Sequence, residues 1–174
     1  MASRPQPEPW LRGPMPGIPA LLQPAAHALA MALEDVEAAV AGLTADQLWA
    51  RPGGAASAGF HLAHLSGSTD RLLTYARGAA LTAEQLTALE AESRLDTARP
   101  PLESLLDLWR STVGRALEQI AGIPDGDLLL PRAVGRGRLP SNVIGLVFHA
   151  AEHAQRHAGQ IVTTARIVRV GATG

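Results

Sequence analysis

The sequence predicts an all-α protein, a four-helix bundle with a crossover connection. Three observations carry this. Apolar residues recur at steps of three and four along four long stretches, the period of a helix with one buried face. Alanine, the best helix former, occurs 32 times, and aromatic residues make up only 3% of the chain, so Ala, Leu, Val and Ile must build the core. No β-hairpin signal and no sustained apolar–polar alternation is present. A chain of 174 residues suits one domain that buries roughly two-thirds of its unfolded surface.

The elements follow in order. Met1–Pro19 holds six prolines and no apolar run, which predicts an extended N-terminal arm over residues 1–20, ordered where it packs on something. A bundle domain over residues 21–170 follows. Pro24 suits the first turn of a helix, and Leu29, Leu33, Val36, Val40 and Leu43 form its stripe. Thr44, Asp46 and Arg51-Pro52-Gly53-Gly54 mark a connection. A second helix runs from about Ser57 to Gly78, where glycine stops it. Thr82-Ala83-Glu84-Gln85 is a capping-box pattern that opens a short helix to about Arg94. Arg99-Pro100-Pro101 breaks the chain, and Leu102, Leu105, Leu106, Trp109, Val113, Leu117 and Ile120 stripe a third long helix. Residues Asp125 to Pro140 read as a loop. Ser141 or Asn142 can cap the last long helix, which extends to about Val168.

Composition excludes several chemistries. Net charge is −1 and the pI about 6.6, so neither nucleic acid nor an anionic membrane surface is an expected partner. All 15 basic residues are arginine, which removes lysine Schiff bases and lysine general bases. With no cysteine there is no disulfide, no thiolate nucleophile and no cysteine-ligated metal. No signal peptide and no apolar run of membrane-spanning length is visible, so a cytoplasmic location is expected.

The histidines are the most informative feature. Of six, only His27 stands apart; His61 and His64 share the second predicted long helix, and His149, His153 and His157 the last. Residues four apart lie about 6 Å from one another on one helix face, within reach of one ion. Residues eight apart are separated by about 12 Å along the axis, so one ion takes either His149 with His153 or His153 with His157. The third ligand comes from the other cluster, His61 or His64. Three neutral imidazoles around a divalent ion leave room for water or substrate, the pattern of catalytic zinc sites. Imidazole suits Zn, Ni, Cu and Fe alike. The competing reading is that these histidines make ordinary hydrogen bonds in a core or on a surface. Neither the HExxH motif nor the Glu-x-x-His di-iron motif is present. Glu152 is placed for a contact with His149 rather than as a co-ligand of His153. Asp70 reads as a partner for Arg71 or a neighbouring chain, Tyr75 as a core aromatic or a hydrogen-bond partner for a ligand, Trp109 and the Trp10-Leu11 arm as core or as dimer contacts, and Gly67 and Ser68 as small residues on the His64 side that open space for a ligand or let helices approach.

Two segments resemble the DinB-like (DinB/YfiT) superfamily of metal-binding four-helix bundles, with YfiT-type and mycothiol-dependent enzymes as relatives. They are Gly59-Phe60-His61-Leu62-Ala63-His64-Leu65-Ser66-Gly67, continuing to Ala76, and Phe148-His149-Ala150-Ala151-Glu152-His153-Ala154-Gln155-Arg156-His157-Ala158-Gly159-Gln160-Ile161. The second is similar to the family's H-x-x-x-H-x-G-Q ending. The resemblance implies a metal triad of His64, His153 and His157, a divalent ion, often Zn or Ni, and frequently a homodimer. It also implies metal-dependent transfer or isomerisation with a low-molecular-weight thiol on an unidentified small-molecule substrate; an ion that acidifies bound water would serve a hydrolase equally. His61 and His149 are additional here and are the candidate proton acceptors. The alternative is a non-catalytic stress-response or interaction module whose metal is structural or absent.

Overall fold

A computed structural model describes residues 6–171 of the chain; residues 1–5 of the expected arm lie outside the described residues. Four long helices dominate: α1 (Gln23–Val40), α3 (Ala58–Ala76), α6 (Leu102–Ala121) and α7 (Val143–Gly171), with short helices α2 (Ala45–Trp49), α4 (Ala83–Ala91) and α5 (Leu95–Ala98) between them. Both α1 and α3 pack on α6 and on α7. Consecutive long helices α1 and α3 therefore lie on a diagonal, and the link through α2 crosses the end of the bundle. The connection from α6 to α7 makes the second diagonal crossing. This square arrangement sets α3 beside α7, the two helices that carry the histidine clusters.

The core follows the apolar stripes. Leu29, Val36 and Val40 from α1, Leu62 and Leu65 from α3, Trp109 and Ile120 from α6, and Val147 and Ile161 from α7 are all fully buried. Alanines at 150, 154, 158 and 165 are equally buried, which lets α7 approach its neighbours closely. Burying each larger side chain contributes about 1.5–3 kcal/mol, offset by the entropy of ordering it.

Helix ends follow the sequence signals closely. Ser57 caps α3, its Oγ accepting from Phe60 N at 3.1 Å. Helix α3 ends at Ala76, and Gly78 takes a left-handed conformation just beyond it, with φ of 77°. Asn142 caps α7, its Oδ1 accepting from Gly145 N at 2.8 Å. Thr82 and Gln85 form the expected capping box of α4. A second box, Thr44 with Gln47, starts α2 within what the sequence presented as a connection. The arm docks on α1: Arg12 forks onto Glu34 at 2.6 and 2.7 Å, and His27 Nε2 meets Gly13 O at 3.1 Å. His27 is thus committed to the arm. Trp10 in the arm is exposed, whereas Trp109 is core.

Besides α2, two elements differ from expectation. The segment read as a loop contains an antiparallel hairpin, β1 (Pro131–Val134) with β2 (Leu139–Asn142), registered Pro131 to Asn142. Its strands are four residues long and lack an apolar face, so alternation could not reveal them. Its footing is tertiary: Arg132 Nε donates to the Ala76 carbonyl at the end of α3, at 2.7 Å. The expected helix to Arg94 breaks at Ala91 and continues through a 3-10 turn, Glu92–Arg94, into α5. No helix of the described residues is long and apolar enough to cross a membrane.

Candidate metal centre

Helices α3 and α7 bring the two histidine clusters face to face. His64, His153 and His157 each present one ring nitrogen, and these lie within 4.8 Å of one another. His64 Nε2 is 3.2 Å from His153 Nε2. Two ligands on a tetrahedral zinc with bonds of about 2.0–2.1 Å stand about 3.3 Å apart, so this pair already has the edge length of such a site. The rings of His153 and His157 have centroids 4.4 Å apart, as expected of neighbours four apart on α7. Nδ1 of His153 is buried with no protein partner.

Burial, reinforced by the neighbouring His153, His64 and His61, pushes the His157 imidazole down to about 4. Burial, with His64 nearby, also lowers His61, and burial with His64 and His149 lowers His153. Near neutral pH these three rings are therefore uncharged and hold lone pairs, the form a metal requires.

The remaining histidines differ in placement. His61 Nδ1 is 3.0 Å from His157 Nδ1, so His61 supports the cluster from behind His157. His149 is half-exposed at the rim, its ring centroid 5.7 Å from that of His153, and its Nδ1 is 3.5 Å from Glu152. Glu152 is also bound by Arg156 one turn on. Small-ligand sites are commonly clefts of about 300–1,000 Å³; the open groove beside His61 is about 580 Å³ and is lined by Arg156, Gln160 and Thr163 among others. A larger groove of about 630 Å³, lined by Tyr75 and Arg132, lies at the other end of α3 beside the hairpin.

The model of the DinB superfamily matches residues 28–161, which spans all four long helices in whole or part. The chain belongs to the DinB superfamily. Comparison with curated proteins gives no match. This DinB-superfamily bundle holds a three-histidine cluster that could hold a metal ion, and its donor set is chemically suited to one.

Two residues of the site were not evident in the sequence. Glu92, in the 3-10 turn after α4, places Oε2 2.7 Å from His64 Nδ1. Its other oxygen, Oε1, is 2.7 Å from Arg71 Nη1. Burial works to raise the Glu92 carboxyl, but the hydrogen bonds and charge of His64 and Arg71 outweigh it and hold it below the usual range. Arg71 is therefore the partner of Glu92 and not of Asp70. Asp70 instead accepts from Gln85 Nε2 at 2.5 Å and lies 3.8 Å from Arg115. Gly67 is small for this ion pair: a Cβ there would stand 2.8 Å from Arg71 Nη1 and 3.0 Å from Glu92 Oε1. Ser68 is buried and donates to the Leu65 carbonyl. No spacing rule links Glu92 to His64, 28 residues earlier, because the contact is made by a strap returning over α3.

Proposed function

We propose that the protein binds one divalent ion, Zn or Ni, through His64, His153 and His157, and that it is a metal-dependent transferase or hydrolase. The observation that carries this is the set of three imidazole nitrogens from two helices within 4.8 Å, with no carboxylate or cysteine among them. When bound, the ion acidifies a coordinated water or thiol and so supplies a nucleophile near neutral pH. A low-molecular-weight thiol is the co-substrate that family resemblance favours. The groove beside His61, lined by Arg156, Gln160 and Thr163 but by none of the three triad histidines, offers polar contacts for a substrate at the edge of the cluster.

The histidines outside the triad take distinct roles. A neutral imidazole carries a single N–H. If His157 ligates through Nε2, its proton is on Nδ1 and is donated to His61 Nδ1, 3.0 Å away. His61 then bears its own proton on Nε2, facing away from His157, and serves as a hydrogen-bond donor rather than a proton acceptor. His149, at the rim with Glu152, is left as the acceptor.

Metal analysis by mass spectrometry of untagged protein tests the assignment. About one Zn or Ni per chain is expected for a three-histidine site of this kind, lost in both His64→Ala and His153→Ala. No bound metal, and none taken up on titration, would remove the triad and leave a helical interaction module.

A further inference from the structure

The segment Ala83–Ala98, formed by α4, the 3-10 turn and α5, has no buried side chain. It nevertheless follows α3, and it is fastened there by polar groups at three points. Gln85 Nε2 donates to Asp70 and, at 2.8 Å, to Thr74 Oγ1. Glu92 joins His64 and Arg71. Asp96 accepts from Ser57 Oγ at 3.3 Å and pairs with Arg51 at 3.3 Å. Only the middle fastening reaches a residue of the histidine cluster.

We infer that Glu92 is a positioning residue of the metal centre: it holds the His64 proton on Nδ1, keeps Nε2 open toward His153 and His157, and is itself locked by Arg71. The inference rests on the metal-binding function proposed above. An ionised carboxylate only accepts hydrogen bonds, so at 2.7 Å from Glu92 Oε2 the His64 Nδ1 must be the donor. A neutral imidazole then has its lone pair on Nε2, the atom 3.2 Å from His153 Nε2. A carboxylate behind a ligating histidine fixes its tautomer and ring orientation and raises its basicity. Arg71 is the lock because it is buried and its Nη1 stands 2.7 Å from Glu92 Oε1, on the side of the carboxylate away from His64. Gly67 leaves the space in which the pair lies.

A consequence reaches the whole strap. An ion on His64 Nε2 requires the Nδ1–H tautomer, the one Glu92 accepts from. Ion binding and strap docking therefore favour each other, and by linkage the coupling is equal in both directions.

Three measurements test this. In metal-free protein at alkaline pH, ring ¹⁵N NMR should find His64 protonated on Nδ1, and Glu92→Gln should move it toward a tautomer mixture. Competition titration with zinc should show about 10–100-fold weaker binding for Glu92→Gln. Asp96→Asn, which loosens the strap away from His64, should weaken zinc binding through that linkage by clearly less than Glu92→Gln does; an equal loss there would mean that Glu92 matters only by holding the strap. Hydrogen exchange over 83–98 should slow on adding zinc in the parent and not in Glu92→Gln. Arg71→Lys keeps the charge and loses the planar fork, and is the milder version should Glu92→Gln not fold, with a smaller loss expected. Zinc bound equally by parent and Glu92→Gln, with an unchanged tautomer, would overturn the role of Glu92 alone. A parent that takes up no zinc would overturn the metal centre, and this inference with it.

Discussion

The strap Ala83–Ala98 and helix α6 are neighbours in sequence, separated only by Arg99-Pro100-Pro101, and both are helical, yet they are held by opposite means. Helix α6 buries Leu105, Leu106, Trp109, Val113 and Ile120 along one face. The strap has no fully buried side chain, packs Leu95 partly buried against the core, and is attached chiefly by Gln85, Glu92 and Asp96. Apolar burial is non-directional and scales with area, so α6 belongs to the global fold. Polar fastenings are directional, few and individually weak, so the strap can open while the bundle stays intact. The difference teaches where function is placed: the segment that contributes least to the core carries the carboxylate that touches the histidine cluster.

The comparison is broken most directly at Trp109, whose side chain is fully buried. Trp109→Ala should cost about 3–5 kcal/mol, by transfer loss plus the cavity left behind. Chemical denaturation should show one cooperative transition moved bodily to lower denaturant. A loss below about 1 kcal/mol would mean that α6 is not the anchor described here, since exposed substitutions fall in that range.

Acid sharpens the contrast. His61, His153 and His157 are held below the ordinary imidazole pKa, with burial the first cause in each. The unfolded chain therefore binds more protons than the folded one between the unfolded value of about 6.5 and the folded value, about 4 for His157. Stability is fully present above about pH 6.5 and is lost as pH falls through that window. Glu92, whose carboxyl is also held low, adds its loss as pH drops below the ordinary glutamate range. Denaturation of metal-free protein across this pH series should show the decline, and His157→Gln should flatten it. A stability that rises as pH falls from about 6.5 would contradict the burial of these rings.

How much of this was legible in the sequence follows from the same physics. The long helices were legible because apolar burial leaves a period: the stripe through Leu105, Trp109, Val113 and Ile120 is visible without any neighbour. Caps were legible where a side chain bonds a backbone group three residues away, as Ser57 does with Phe60 and Thr82 with Gln85. Within the histidine cluster, a spacing of four on one helix left two pairs open, His149 with His153 or His153 with His157, and family resemblance favoured the second. The facing of His64 follows only from α3 packing against α7, and family resemblance supplied it. Glu92 and Arg71 left no signal, since the pair is closed by a turn at Ala91 that propensity did not mark. The hairpin at 131–142 was hidden for a related reason: its strands are short, half-exposed and footed on Ala76 by an arginine.

The smallest expected effect is the most discriminating. Thr82 caps α4, its Oγ1 accepting from Gln85 N at 3.2 Å while Gln85 Oε1 accepts from Thr82 N at 3.0 Å. Thr82→Ala should cost that helix about 1 kcal/mol, the usual value of an N-cap. Because the strap has no fully buried side chain, this cost should stay local. Hydrogen exchange over 83–91 should quicken by about fivefold, the factor to which 1 kcal/mol corresponds, while the global denaturation midpoint stays where it was. An equal loss in both would mean that the strap unfolds only with the bundle. Its fastening to His64 would then be part of the global fold and could not respond to an ion on its own.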